Sequence, residues 1–303
     1  MYGRNKTETE VIDMTNGKKP SAVAEPKANS EETGAMAQTD RPCERYEPIK
    51  DPFGKNIGSA DLFRHRQLEE LQALVRSCVS QQVMGLITGP PGSGKTTCVR
   101  SVTDELPSHK YTVVYLGQDQ IGTNLLTRFA ASLGLQAKRY RAHLTMQISR
   151  WLIDNLESGG KEVALIVDEA HLLDDGMLEE FRLMTNASYD RLSPLTLILL
   201  GQAPLRLRLR SAKFEALSQR LRYRFRLEGL NQDETTRYIQ LRLLAAGMAP
   251  EVFSQDAFHQ IFQLCEGLPR KINNLCSLAL LRAKVMKRST IDAAFINELA
   301  DLD

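Results

Sequence analysis

The chain has 303 residues, of which 42% are hydrophobic and 25% are charged, as in an ordinary globular protein. Its formal net charge of +2 excludes recruitment of an anionic partner by a strong overall field, so such a partner must be bound by local patches. No run approaches the roughly 18 apolar residues that span a bilayer, and the first ten residues are polar, which together predict a cytoplasmic protein without a secretory signal.

The cysteines predict reduced thiols. Their number is odd and none forms a C-x-x-C pair, which disfavours both a disulfide framework and a zinc site. They are Cys43, Cys78, Cys98, Cys265 and Cys276.

Residues 1–45 carry almost no large apolar side chains. Such a segment buries too little surface to offset its ordering entropy, so a disordered tail is predicted. A tail that docks on a partner is the alternative. Order is expected to begin near Asp51-Pro52-Phe53.

Helices and strands are predicted to alternate after Phe53. Leucines at helical spacing predict a helix over 61–80. Runs rich in apolar residues predict strands over 84–88, 111–116, 163–167 and 195–200. Helices are predicted from 95 and over 125–133, 145–156 and 176–185. Strands without polar alternation, separated by helices, indicate an α/β domain whose parallel sheet has helices on both faces.

The strand pattern stops near Glu228. Four helical patterns follow, over 233–246, 254–265, 269–286 and 291–302. We therefore predict three regions, a tail (1–45), an α/β ATPase domain (46–227) and a small all-helical lid domain (228–303).

A phosphate-binding motif lies between the first predicted strand and its helix. It matches G-x-x-x-x-G-K-[ST] at every defined position. Glycines let the backbone N–H groups curl toward phosphates, and the helix adds its positive end. Lys95 is expected to reach the β- and γ-phosphates, and the Thr96 hydroxyl to ligate magnesium. A chance glycine-rich loop is disfavoured by the flanking strand and helix. The predicted nucleotide-binding residues are Gly89, Pro90, Pro91, Gly92, Ser93, Gly94, Lys95, Thr96 and Thr97.

An acidic pair follows the apolar strand 163–167. The strand delivers Asp168 to the sheet edge where ligands bind in open α/β sheets. Asp168 is predicted to hold the magnesium, and Glu169 to orient and deprotonate the attacking water. His171 is expected to pack at a helix start rather than to act in catalysis. Together with the phosphate loop, the pair predicts a nucleoside triphosphatase that uses ATP and Mg²⁺.

Three further positions resemble motifs of the AAA+ ATPases, over residues 50–290. Gln202, after the strand 195–200, resembles the sensor-1 residue. Arg220, within Leu-Ser-Gln-Arg-Leu, resembles the arginine finger that enters a neighbouring subunit's site. Arg270, within Gly-Leu-Pro-Arg, resembles the sensor-2 arginine that reaches the nucleotide from the lid. A surface salt bridge is the alternative for each arginine.

A closer resemblance is to the ExeA/GspA-type ATPase module. Two classes share that module: membrane-anchored ATPases that help assemble secretion pores, and soluble regulators of DNA transposition similar to the TnsC, TniB and MuB proteins. The matching segments are Asp51-Pro52-Phe53 and those at 168–173, 178–183, 199–205 and 267–273.

The resemblance favours transposition over secretion. Secretion-type members carry a transmembrane helix and a cell-wall-binding region after the module, and neither is found in this sequence. The implied protein assembles with ATP on duplex DNA as a head-to-tail ring or helical filament, with Arg220 supplied in trans. It engages a transposase and a target-selection protein. A secretion-type ATPase and a soluble signalling or chaperone-like ATPase remain alternatives.

Two basic segments are candidates for DNA contact. In TnsC-like proteins the region after the second strand and its helix lines the inner face of the oligomer. That resemblance implies phosphate contacts by Lys138, Arg139 and Arg141, in a predicted loop, without sequence specificity. A solvated basic loop is the alternative. The second segment is a run of arginines, for which a subunit interface is preferred over DNA. It contains Arg206, Arg208, Arg210, Lys213, Arg220, Arg222, Arg224 and Arg226.

Overall fold

The computed structural model describes residues 51–54, 62–117, 125–186 and 193–300. The predicted tail over 1–45 lies outside these ranges. The strands are β1 (Met84–Thr88), β2 (Tyr111–Leu116), β3 (Glu162–Val167), β4 (Thr196–Gly201) and β5 (Leu221–Arg226). The helices up to β5 are α1 (Arg66–Gln81), α2 (Lys95–Thr103), α3 (Leu125–Ser132), α4 (Arg141–Glu157), α5 (Asp175–Met184), α6 (Ala203–Arg208) and α7 (Glu215–Arg220). The later helices are α8 (Gln232–Ala245), α9 (Gln255–Cys265), α10 (Pro269–Val285) and α11 (Ala293–Ala300).

The five strands form one sheet in the order β2-β3-β4-β1-β5, and every neighbouring pair is parallel. All residues of β1 and β4 are buried, as the apolar runs predict. Because all strands point the same way, the carboxyl ends of β1 and β3 meet at one edge, with β4 between them. The residues that follow these two strands can therefore act together.

Hydrophobic cores cover both faces of the sheet. On one face, Leu165 of β3 packs in a cluster with Phe129 and Phe181 from the helices. On the other face, Ile166 packs in a second cluster with Leu71 and Val102. Adjacent residues of one strand thus enter different cores, which confirms the predicted sheet with helices on both faces.

The helical C-terminal part begins with a capping box. The Asn231 side chain accepts from the Glu234 N–H at 2.8 Å, and the Glu234 carboxylate accepts from the Asn231 N–H at 3.0 Å. Helices α8–α11 enclose a third core, which also contains Phe53 from the start of the described chain. Arg242 of α8 fixes that segment by donating to the carbonyl of Pro52 at 2.6 Å. The domain boundaries at 45/46 and 227/228 stay predictions.

Two helices begin well away from their predicted starts, whereas the other predicted helices begin within one or two residues of theirs. The α1 helix begins at Arg66 rather than at 61, because His65 is extended, with φ −146°. The α4 helix begins at Arg141 rather than at 145, so Arg141 lies in a helix and not in the predicted loop. Its guanidinium donates to Asp174, which caps the start of α5, and to Glu180 within α5. These contacts hold the first turn of α4 in place. Within the described ranges, no helix is both long and apolar enough to cross a bilayer.

Candidate nucleotide-binding site

The phosphate loop connects β1 directly to α2. It curls through two glycines in the left-handed region, Gly92 at φ 79° and Gly94 at φ 97°, a conformation that side chains with a Cβ rarely adopt. The loop ends where α2 begins at Lys95, so the helix N-terminus lies beside the curl. This is the arrangement in which backbone N–H groups bind phosphate.

The Lys95 side chain lies inside the curl and is only 5% exposed. Its Nζ donates to the carbonyls of Gly89 at 2.9 Å and Pro90 at 2.8 Å. Burial lowers the pKa of the Lys95 ammonium, the carboxylates of Glu169 and Asp168 raise it, and Arg270 lowers it further. The Lys95 ammonium therefore feels two carboxylates that attract it and one guanidinium that repels it.

The Asp168 carboxylate binds three donors. Its Oδ2 accepts from the Thr96 hydroxyl at 2.5 Å and the Tyr115 hydroxyl at 2.7 Å, while its Oδ1 accepts from the Glu169 N–H at 2.8 Å. The two predicted metal ligands, Thr96 and Asp168, are therefore brought together. A hydroxyl and a carboxylate oxygen are hard donors, which fits Mg²⁺. Tyr115 was not predicted, because nothing in the pattern of β2 marks its hydroxyl.

Glu169 lies at the turn after β3, with φ 49°. The Gln202 Nε2 donates to Glu169 Oε2 at 3.3 Å, so the predicted sensor-1 residue contacts the predicted base. The His171 Nδ1 lies 3.2 Å from the same oxygen. His171 therefore contacts the carboxylate as well as lying at a helix start, in the 3₁₀ turn Ala170–Leu172.

A cavity of about 710 Å³ opens beside the phosphate loop. The loop, Glu169 and Arg270 line one part, and aromatic side chains from distant segments line the other. Phe63 stacks on His65 and meets Tyr238 edge-on, each at a centroid distance of 5.8 Å. These rings were not predicted as site residues. The sequence feature that could have indicated an aromatic site is the Asp51-Pro52-Phe53 motif, because Phe53 and Gly54 also line this cavity.

The helical part touches the phosphate loop through the backbone. The Arg270 N–H donates to the Gly92 carbonyl at 3.2 Å, and a Cβ at Gly92 would meet the Arg270 Cβ at 2.6 Å. A second close approach joins the linker before α8 to the turn before α10, where the Leu230 N–H donates to the Gly267 carbonyl at 2.8 Å. Arg270, the predicted sensor-2 residue, thus lies in the cavity with the loop.

The predicted arginine finger and the predicted DNA-contacting residues lie outside this cavity. Arg220 ends α7, and its guanidinium donates to the Arg182 carbonyl at 3.3 Å. Lys138 and Arg139 are exposed before α4. Arg141 forms ion pairs with Asp174 at 3.2 Å and Glu180 at 2.8 Å, so carboxylates of the same chain already bind it.

The strand order, the phosphate loop after β1, the acidic residues after β3 and the helical C-terminal part define the P-loop fold of AAA+ proteins. Residues 79–209 match the family described as AAA domain. General secretion pathway protein A of Aeromonas hydrophila is 32% identical over 200 residues, which are 65% of this chain. The chain spans 36% of that relative's length. These matches support assignment of the matched region to the AAA-domain class of P-loop proteins.

Solved structures share the fold at low sequence identity. Cdc6p from Pyrobaculum aerophilum has a TM-score of 0.60 at 17% identity, covering 79% of this chain and 67% of that one. A structure of Drosophila ORC bound to DNA has a TM-score of 0.62 at 15% identity, covering 93% and 70%. The RuvB Holliday junction branch migration motor of Thermotoga maritima has a TM-score of 0.53 at 16% identity, covering 84% and 73%.

Proposed function

We propose that this protein is a Mg²⁺-dependent ATPase. The observation that carries the proposal is the meeting of Lys95, Thr96, Asp168 and Glu169 at one sheet edge beside a cavity of about 710 Å³. A cavity of this size falls in the range of about 300–1,000 Å³ typical of small-molecule sites. The aromatic rings at its far end suit a nucleobase, and the loop suits the phosphates.

Each residue has a chemical role in this proposal. The loop amides and Lys95 bind and orient the β- and γ-phosphates of ATP. Thr96 and Asp168 hold the divalent cation, which when bound supplies positive charge to the phosphate oxygens. Glu169 takes the proton of the attacking water, and Gln202 fixes the direction of that carboxylate. Arg270 adds positive charge from the helical part.

Two substitutions test the ATPase. Lys95→Ala should abolish nucleotide binding, measured with a fluorescent ATP analogue. Glu169→Gln should bind ATP with near-normal affinity but release no phosphate, because the amide cannot accept the proton. Wild-type turnover by Glu169→Gln would remove Glu169 from the mechanism.

We propose further that ATP drives head-to-tail assembly on duplex DNA and that the assembly engages a transposase. Two of the structural neighbours are ORC bound to DNA and the RuvB Holliday junction branch migration motor, which supports a DNA role. Arg220 lies outside its own chain's cavity, as a residue supplied to a neighbour must. We propose Lys138 and Arg139 as contacts to DNA phosphates. Arg141 would contact phosphate only after its ion pairs with Asp174 and Glu180 break.

Electron microscopy with ATP and duplex DNA tests this assembly. A ring or filament that needs both ligands and is lost in Lys95→Ala supports the proposal. Assembly that persists without nucleotide contradicts the coupling.

A secretion-type ATPase is the second candidate. The observation that favours it is the 32% identity to general secretion pathway protein A. DNA binding with a steep salt dependence in the presence of ATP would favour the transposition role. No DNA binding under these conditions would favour the secretion role.

A further inference from the structure

Apart from the exposed Arg222, the basic run over 206–226 divides into two sets in the structure. One set is already bound within the chain. Arg208 and Lys213 both contact the Asp175 carboxylate, which lowers the Asp175 pKa. Arg220 donates to the carbonyl of Arg182.

The other set lines a cleft of about 220 Å³ between β5 and α6. Its floor and sides consist of Leu86, Thr88, Leu209, Ser218 and Phe225, and its cations are Arg206, Arg210, Arg224 and Arg226.

The strand register explains why arginines face this cleft. Arg224 lies opposite Leu86 and Arg226 lies opposite Thr88 in the parallel pairing of β1 with β5. Leu86 and Leu221 belong to the core on this face of the sheet. At the carboxyl end of β5 the apolar layer therefore stops, and exposed arginines take its place.

The cleft is cationic, and none of the described residues that line it carries a carboxylate. Ser218 fixes the Arg224 guanidinium through its carbonyl and, at 2.9 Å, its hydroxyl. Arg226 pairs with Glu228 at 3.3 Å, but both side chains are more than half exposed, so solvent weakens this attraction. Within the described ranges, no hydrogen bond or ion pair holds the side chain of Arg206 or Arg210. Four like charges repel one another, so an entering anion is favoured both by attraction and by relief of that repulsion.

We propose that this cleft binds the phosphate backbone of DNA, an inference that rests on the proposed DNA function. Guanidinium groups bind phosphate through paired hydrogen bonds. Alternate residues of a strand, such as Arg224 and Arg226, lie about 6.6 Å apart and form a row of charge. A single acidic side chain of another protein would neutralise only one of the four arginines. Duplex DNA carries about one negative charge per 1.7 Å of its axis, so it offers phosphates to several arginines at once. The contact reads no bases.

The test compares two double variants. Arg206→Gln/Arg210→Gln removes two cleft charges that hold nothing else in the described chain. Arg128→Gln/Arg237→Gln removes two exposed charges elsewhere and serves as the control. Fluorescence anisotropy with a labelled duplex and ATP gives the affinity at several salt concentrations. Turnover without DNA should be wild-type in both variants.

The cleft variant should bind DNA at least about tenfold more weakly. The slope of log affinity against log salt should become shallower by about 1.8, since each phosphate contact contributes about 0.9. Arg206→Lys/Arg210→Lys should restore most of the slope, because it keeps the charge.

Three results would overturn the inference. If the cleft and control variants bind DNA alike, the cleft does not contact DNA, whereas the DNA function stands. A loss of self-association in sedimentation with unchanged DNA affinity would assign the cleft to a subunit interface instead. If the wild-type protein binds no DNA, the proposed DNA function fails and the cleft assignment fails with it.

Discussion

Replacing Tyr115 by Phe should weaken the magnesium-dependent part of ATP binding. The substitution deletes one of the three donors to the Asp168 carboxylate, a hydrogen bond of 2.7 Å, and leaves the ring in place. A hydrogen bond to a charged group contributes about 1.5–3 kcal/mol when buried. Tyr115 is 47% exposed, so we expect about 1 kcal/mol, which corresponds to about a fivefold change in affinity.

The assay measures the dissociation constant of a fluorescent ATP analogue with Mg²⁺ and with EDTA. The ratio of the two constants reports how well Asp168 and Thr96 hold the metal. In Tyr115→Phe the constant with Mg²⁺ should rise about fivefold, while the constant with EDTA should stay within about twofold. Tyr111→Phe makes the same chemical change at the other end of β2 and should leave both constants unchanged.

Two outcomes would refute this reasoning. Equal weakening with and without Mg²⁺ would mean that Tyr115 supports the fold of the site rather than the orientation of Asp168. Two constants that both stay at their wild-type values would mean that the Thr96 hydroxyl and the Glu169 N–H orient the carboxylate without Tyr115.

Three further predictions concern stability and reactivity. Gly267→Ala should lower the free energy of unfolding by at least about 1–3 kcal/mol in thermal denaturation, because φ is 69° and the added Cβ would lie 1.8 Å from a backbone oxygen. Gly159→Ala, with φ 71° but nothing within 4 Å, should cost less. Asn231→Ala removes the α8 cap and should cost about 0.5–2 kcal/mol by denaturant titration. Burial raises the pKa of the Cys78 and Cys98 thiols to about 12, so both should resist iodoacetamide at neutral pH until the protein unfolds. Rapid alkylation of the folded protein at either position would contradict this burial.

The features that the sequence predicts well are encoded locally. The bounds of β1 and β2 agree with the predicted ranges. Continuous apolar residues are expected for β1, which is buried on both faces, whereas β2 lies at the sheet edge and exposes Val113 and Tyr115. The phosphate loop was predictable because its glycines, lysine and threonine are contiguous. Asp168 was predictable because a buried strand delivers it to the sheet edge.

The features that were missed depend on long-range contacts. Tyr115 is 53 residues from Asp168, and β2 gives no sign that its tyrosine contacts the acidic strand end. His65 lines the cavity beside the phosphate loop, where it stacks on Phe63 and where Tyr238 comes from a distant segment, so no local pattern marks it. The predicted loop around Arg141 was wrong at that residue for the same reason, since carboxylates near and within α5 fix the first turn of α4.

Arg270 contacts the site in two ways: its amide donates to the Gly92 carbonyl, and the residue lines the cavity beside the loop. The guanidinium can be replaced by mutation without removing this bond, because every residue except proline has an N–H. A variant such as Arg270→Ala therefore removes a positive charge from the cavity while this main-chain bond stays. A substitution at Gly92 disturbs the contact itself, because the added Cβ would meet the Arg270 Cβ at 2.6 Å.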